Sequence, residues 1–337
     1  MIMPEGNSFK NCYLFFTVFC FVNFQTTISP LIYKQIKKKG EIIMADFRAD
    51  YSKFTVEDLG WDRVPFADVD KKVTDLMDFT GKTVIVTGAG GVGLGRALAH
   101  RFAALGAKVV MNDINEEGLM KNAKEVEEKW NTKVYPIVAD LENFDSVKEF
   151  FAKANEALGG HIDVVINNAT HTSYGPFFMF TEEQIDTTVR GALLSVIYCL
   201  RCACDYMIPQ GYGKIVNISS ESSYSKNNEN IVLYAATKSA MNGLTRGLAN
   251  ELAPFGIMVN GVAPGLMFHD QLRYVFDYPT EENLGVRQTM CQGVADTICK
   301  RPSLADEVAN TVVYLASDAN TYIYGQTILN GGGINVF

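Results

Sequence analysis

Tyr234-Ala-Ala-Thr-Lys238 carries a phenol and an ammonium four residues apart, which on a helix puts both on one face. A free phenol titrates at about pH 10, too high for efficient proton exchange near neutrality. An ammonium beside it favours the phenolate, so Lys238 is expected to pull Tyr234 toward the working range of a general acid/base. Ser219-Ser220 lies shortly before, closing the apolar run that starts at Lys214. A hydroxyl there can hold a substrate oxygen while the phenol exchanges its proton. A tyrosine and a lysine at this spacing are common on helices and by themselves read as a surface pair. The chemical reading needs a second constellation.

Thr87-Gly-Ala-Gly-Gly-Val-Gly-Leu-Gly95 supplies it, with five glycines in nine residues between a β-branched run and an Ala/Leu-rich one. In a strand-to-helix turn, Gly88 permits a tight exit, Gly93 lets the backbone approach a pyrophosphate, and Gly95 allows close helix–strand packing. The helix N-terminus that follows offers N–H groups and a partial positive charge to phosphates. A glycine-rich turn without a ligand would cost backbone entropy for no gain. Asp113 stands twenty residues beyond Gly93. A carboxylate there reaches adenosine ribose hydroxyls and repels a 2′-phosphate, and Ile114 beside it supplies no cation to attract one. The expected cofactor is therefore NAD(H), with NADP(H) disfavoured; the bland alternative is that Asp113 only caps its turn.

These groups need strands and helices to position them, and from Gly81 the two alternate to the end. Short β-branched runs at 83–88, 108–113, 134–139, 162–167, 214–219, 257–263 and 326–330 read as strands. Residues 93–105, 116–130, 145–158, 181–208, 232–253 and 304–316 read as helices. That alternation predicts an α/β, doubly wound fold: one parallel sheet with helices on both faces. One domain spans 81–337, preceded by an arm over 44–80 whose Thr55 caps a helical turn and whose Trp61, Val64 and Phe66 pack on a surface. Residues 1–43 are expected to stand outside the fold. The apolar run at 13–24 is too short to span a bilayer, no signal-cleavage site follows it, and Lys-Gly-Glu before Met44 back-translates to a ribosome-binding site. Translation from Met44 is the expectation, with a membrane or interfacial anchor the alternative if 1–43 are retained.

Composition narrows the classes. The chain has 337 residues, 47% hydrophobic and 20% charged, so it can bury a full core without metal or disulfide staples. A net charge of −8 argues against a phosphate-backbone binder, so no nucleic-acid partner is expected. The seven cysteines and four histidines form no zinc-site spacing. Cys199-Leu-Arg-Cys202, followed by Cys204, lies in an apolar helical run and reads as buried free thiols in a reducing cytoplasm.

Residues 81–337 resemble a short-chain dehydrogenase/reductase. Thr87-Gly88 through Gly93-Leu-Gly95, Asn167-Asn168-Ala169, Ile218-Ser219-Ser220, Tyr234-Ala-Ala-Thr-Lys238 and Pro264-Gly265 appear in that family's order. The resemblance implies a Rossmann fold of about seven parallel strands and hydride transfer between a nicotinamide and a ketone or secondary alcohol. It implies Tyr234 as general acid/base, Lys238 as its partner on the nicotinamide ribose, and Ser220 as the substrate-polarising serine, with Ser219 the alternative. Asp140 and Leu141 match the adenine contact, Asn168 the adenosine ribose, and Pro264 and Gly265 the nicotinamide pocket. Family members pair the helices matching 181–208 and 232–253, so a homodimer or homotetramer is expected.

Four departures stand out. The glycine turn is one residue longer than usual, and Thr170 replaces a glycine. Thr188, in Thr188-Val-Arg-Gly191, stands where the family has a catalytic Asn, so its proton-relay role is in doubt. His269 stands where a Thr often meets the carboxamide; it is a solvated loop residue or a substrate or cofactor contact. The insert at 266–301 holds Leu266, Met267, Phe268, Leu272, Tyr274, Val275, Phe276 and Tyr278 and reads as a lid over a bulky apolar substrate, or as packing on its own scaffold. His171, Tyr174, Phe177 and Phe178 are expected on the opposite wall. The arm is similar to those of some bacterial hydroxysteroid dehydrogenases, which points to a polycyclic alcohol. A 3-oxoacyl thioester reductase is the rival reading, which Asp113 and the net charge disfavour. A non-catalytic nucleotide-binding sensor is the rival from another class, and it would not need Ser220, Tyr234 and Lys238 together.

Overall fold

The computed structural model describes residues 71–225, 229–281 and 283–334. The reading of 1–43 and most of the arm lie outside the described residues. The described chain opens with the short helix α1 (Val73–Leu76), then runs β1 (Thr83–Thr87), α2 (Leu94–Ala104), β2 (Lys108–Asp113), α3 (Glu116–Trp130), β3 (Val134–Val138), α4 (Phe144–Leu158) and β4 (Val164–Asn167). The second half runs α5 (Glu182–Val189), α6 (Ser195–Gln210), β5 (Gly213–Ile218), α7 (Val232–Leu252) and β6 (Ile257–Pro264). It ends with β7 (Met267–Phe268), α8 (Asp270–Asp277), α9 (Leu284–Asp296), β8 (Ser303–Leu304), α10 (Ala305–Ala316) and β9 (Thr327–Asn330).

Seven strands form one sheet in the order β3-β2-β1-β4-β5-β6-β9, and every pairing is parallel. The order reverses between β1 and β4, the point where open α/β sheets bind ligands beyond the carboxyl ends of their strands. The central strands β1, β4, β5 and β6 are buried throughout, as unbroken apolar runs in a doubly covered sheet must be. Alternate side chains feed two cores. Val84, Val86, Val109 and Val262 pack against Leu98 and Phe102 of α2, Leu119 of α3 and Val312 of α10. Ile85, Val110, Val165 and Ile215 face the other way, onto Phe150 and Phe151 of α4, Val196 and Met207 of α6 and Met241 of α7.

The single helix expected over 181–208 is interrupted. A capping box starts it, Thr181 accepting from the Gln184 N–H while the Gln184 side chain accepts from the Thr181 N–H. A π-helical turn at Arg190–Leu194 then separates α5 from α6. The cause lies partly at Gly191: a Cβ there would stand 2.5 Å from the Cβ of His171, so the wall must be bare where the segment after β4 crosses it. Ser195 adds a hydrogen bond from its hydroxyl back to the Gly191 carbonyl, 2.9 Å. By length and composition Glu182–Gln210 could span a membrane, but half of its apolar window is buried in the fold, as in a core helix.

The insert at 266–301 contains α8 and α9. Its ends are joined by a two-strand sheet, Met267 and Phe268 pairing with Ser303 and Leu304. The rings of Phe268 and Phe276 meet within it in a tilted pair with centres 6.4 Å apart, and those of Tyr274 and Tyr278 in another at 4.8 Å. Tyr274 and Tyr278 nonetheless stay mostly exposed, so the insert packs in part on itself and in part presents rings outward.

Candidate active site

The glycine turn leaves β1 at Gly88, whose φ of +70° suits a residue without Cβ. Gly95 must be glycine because a Cβ there would stand 2.0 Å from the Gly88 carbonyl oxygen. A Cβ on Gly93, by contrast, would project into open space. Gly93 caps α2 with no side-chain acceptor, so the first N–H groups of the helix have no capping side chain and point into that cradle. A bare helix N-terminus with an open glycine beside it fits the pyrophosphate of a dinucleotide.

The acidic residue expected at the ribose also has a structural task. Asp113 accepts from the Gly90 N–H through Oδ2, 2.7 Å, and from the Asn115 N–H through Oδ1, 2.9 Å. Its carboxylate thus closes the glycine turn and caps its own loop while standing at the carboxyl end of β2. Asn168 likewise is a strut: its amide donates to the carbonyls of Thr87 and Gly88, tying β4 to the turn. Leu141 is buried next to Asp140, whose carboxylate accepts from the Glu142 N–H.

The two serines separate by role. The Ser219 hydroxyl is buried and donates to the Lys238 carbonyl of α7, 3.1 Å, which docks the helix on the strand end. Ser220 is less buried; its Oγ accepts from the Ser222 N–H, 3.2 Å, and it hydrogen-bonds the Tyr234 hydroxyl. Of the two, Ser220 is the one that meets the phenol. Helix α7 is aligned by a buried polar chain, Asn167 donating to Asn217 and Asn217 to Thr245. Lys238 is fully buried, its Nζ 5.5 Å from the centre of the Tyr234 ring and donating to the Ile218 carbonyl, 2.8 Å.

The electrostatics correct one expectation. Burial, with the Tyr174 phenol adding to it, pushes Tyr234 up to about 12, while the Ser220 hydrogen bond acts the other way. Burial takes Lys238 down to about 8. The ammonium lies over the ring and donates to a backbone carbonyl, so in this arrangement desolvation outweighs its pull on the phenol.

Other groups have structural partners of their own. Thr188 is completely buried, its hydroxyl donating to the Gln184 carbonyl, 2.9 Å, and accepting from the Ser173 N–H, 3.0 Å. That bond fixes the segment carrying Tyr174, whose ring meets the Tyr234 ring edge-on at 6.1 Å. His171 turns away from this wall to the Glu142 carboxylate, 3.0 Å. Phe177 and Phe178 are exposed. His269 is the cap residue of α8. Gly265 follows Pro264 and donates its N–H to the Asn330 carbonyl, joining the ends of β6 and β9. Glu221 was missed altogether, although it directly follows Ser220; burial raises its carboxyl to about 7. Cys199 and Cys202 are buried, and burial pushes Cys202 to about 11, so both are inert thiols as expected.

The model of the short chain dehydrogenase family matches residues 82–276. The chain belongs to the short-chain dehydrogenase family. The 1,6-dihydroxycyclohexa-2,4-diene-1-carboxylate dehydrogenase of Pseudomonas putida is 35% identical over 258 residues, 76% of this chain and 93% of that protein. The 3-oxoacyl-acyl-carrier-protein reductase FabG of Thermotoga maritima is 34% identical over 260 residues, 77% of this chain and 99% of that protein. The solved structure of levodione reductase superimposes with a TM-score of 0.69 at 31% identity, covering 76% of this chain and 98% of its own. As a short-chain dehydrogenase, the chain is an NAD(P)-dependent oxidoreductase acting on CH–OH and C=O groups.

Proposed function

We propose that this short-chain dehydrogenase uses NAD(H) to interconvert a ketone and a secondary alcohol on a bulky apolar carbon skeleton, of which a hydroxysteroid is one example. The observation that carries the reading is the hydrogen bond joining Ser220 to Tyr234 at the carboxyl edge of the sheet, the edge that also bears the glycine turn. The bound nicotinamide supplies or accepts the hydride. Ser220 holds the substrate oxygen, and Tyr234 gives the proton in reduction and takes it in oxidation. The raised Tyr234 keeps its proton at neutral pH, which is the form that reduction needs. Lys238, whose Nζ lies over the Tyr234 ring, would hold the nicotinamide ribose. Thr188 is a positioning residue, since both its hydrogen bonds serve to anchor the Tyr174 segment.

Preference for NAD(H) is supported by the Asp113 carboxylate at the end of β2, which repels a 2′-phosphate. Leu141 and Asp140 would lie against the adenine. The exposed rings of Tyr174, Phe177, Tyr274 and Tyr278 support an apolar substrate. Free, inert thiols on α6 support a reducing cytoplasm. A second copy of the chain is the proposed partner: a groove of about 470 Å³ between α6 and α7, lined by Leu193, Ile197, Ala240, Gly243, Leu244 and Gly247, suits a like helix pair.

The test is a panel of steroid, cyclic and small acyclic ketones with NADH and NADPH, read by loss of reduced-cofactor absorbance. Tyr234→Phe is expected to retain NADH binding and lose turnover by orders of magnitude; a variant at the wild-type rate removes Tyr234 from the chemistry. A second reading, 3-oxoacyl thioester reduction, is favoured by the likeness to the Thermotoga maritima reductase. Turnover confined to acetoacetyl thioester with NADPH selects it.

A further inference from the structure

Asn122 lies on α3, outside every motif that the sequence singles out, and it is buried. Its side-chain amide donates to two carbonyls of the glycine turn, that of Ala89 at 2.7 Å and that of Gly91 at 2.8 Å. Two acceptors fix which end of the side chain faces the turn, because only its nitrogen can donate. Gly118 stands four residues earlier, on the same face of α3. A Cβ there would run into the Gly90 carbonyl oxygen, so α3 is bare where it meets the turn. A trans peptide sends its C=O and its N–H to opposite sides. The peptide between Ala89 and Gly90 accordingly gives its carbonyl to Asn122 and its N–H to the Asp113 carboxylate, 2.7 Å. The peptide between Gly91 and Val92 also gives its carbonyl to Asn122, which turns the Val92 N–H away from α3. Cβ atoms built at Gly91 and Gly93 would meet nothing, so the turn is crowded toward α3 and open elsewhere.

We propose that Asn122 is a positioning residue for the phosphates of the bound dinucleotide: by holding two carbonyls against α3, it keeps the N–H groups of the turn, that of Val92 above all, available to an anion. The proposal rests on the reading of the glycine turn as the pyrophosphate site. Glycines let peptide planes rotate at little cost, and a turn with five of them in nine residues needs an outside hold. Released from Asn122, the carbonyls of Ala89 and Gly91 are free to swing toward the phosphates, where an oxygen dipole repels an anion. Ordering the turn would then be charged against binding, whereas the two hydrogen bonds order it beforehand.

In the experiment the full chain is titrated with NADH, read by the fluorescence of the bound reduced cofactor, and is separately unfolded in urea without it. Asn122→Leu keeps the branched shape and removes both donors. It is expected to raise the Kd for NADH about tenfold. Asn260→Leu is the control: Asn260 is also buried and its amide donates to the Ile323 carbonyl at 2.7 Å, but it lies on β6, three strands from β1 and its turn. That variant is expected to lower the urea midpoint and leave the Kd unchanged. A merely structural Asn122 would behave as Asn260 does, so an unchanged Kd in folded Asn122→Leu overturns the proposal. Asn122→Ser keeps one donor on a shorter side chain; its Kd is expected to fall between, and it decides the matter should the leucine variant not fold. Gly93→Asp sets a carboxylate on the open side of the turn and tests the underlying reading, with loss of NADH binding expected. Wild-type binding by Gly93→Asp overturns the pyrophosphate site and this proposal with it. Binding lost there but kept in both Asn122 variants overturns only the role of Asn122.

Discussion

Tyr234 and Lys238 illustrate how burial competes with charge. Their spacing suggests an ammonium that acidifies a phenol, yet both groups are dry, and each is driven toward its neutral form: Tyr234 up to about 12 and Lys238 down to about 8. Lys214 behaves likewise at the opposite edge of the sheet. It is buried, held at about 8, and donates to the carbonyls of Ser317 and Asn320. A lysine whose folded value lies below its ordinary one near 10.5 loses its proton in the folded chain while the unfolded chain still holds it. Stability is therefore expected to rise with pH between about 8 and 9, as the unfolded state binds more protons there. Above about 9 the raised Cys202, and above about 10 the raised Tyr234, act in the opposite sense. Urea midpoints at pH 8 and pH 9 check this, and Lys214→Met is expected to flatten the rise.

At the scale of elements, the site depends on contacts between chain segments far apart in sequence. Asn168 of the segment after β4 hydrogen-bonds the carbonyls of the turn after β1, and the Asp113 carboxylate at the end of β2 holds the same turn. The turn is packed so tightly that Gly95→Ala would press a methyl against the Gly88 carbonyl oxygen at 2.0 Å. That variant is expected to lose at least about 2 kcal/mol of stability and to bind NADH more weakly, read by urea unfolding and by NADH fluorescence titration. The π-helical turn between α5 and α6 works in the same way. It lets the bare Gly191 pass beside His171 while Thr188, one turn earlier, pins Ser173. Tyr174 reaches Tyr234 because of that pin.

For the whole molecule, the groove between α6 and α7 sets the expected assembly. It is mainly apolar and carries Gly243 and Gly247 one turn apart, where a partner helix can approach closely. Gly243→Arg would place a charge and a long side chain in that groove. It is expected to shift the protein toward a monomer in light scattering with its circular dichroism unchanged; a variant that keeps the wild-type mass places the contact elsewhere.

Sequence alone determined the doubly wound sheet, since buried strands and amphipathic helices follow from periodicity, and six of the seven strand positions agree with the structure to within a residue at each end. It also singled out the glycine turn, Asp113, the Ser219-Ser220 pair, Tyr234 and Lys238, because these depend on local spacing within one strand end or one helix face. The choice between Ser219 and Ser220 was open until α7 packed on β5 and took the Ser219 hydroxyl for its own backbone. The breaks in the long helix, the turning of His171 to Glu142, the bonded state of Thr188 and the burial of Glu221 were not legible. Each follows from contacts between segments many residues apart, and burial, which sets the charge of Tyr234, Lys238 and Glu221, exists only once those segments have come together.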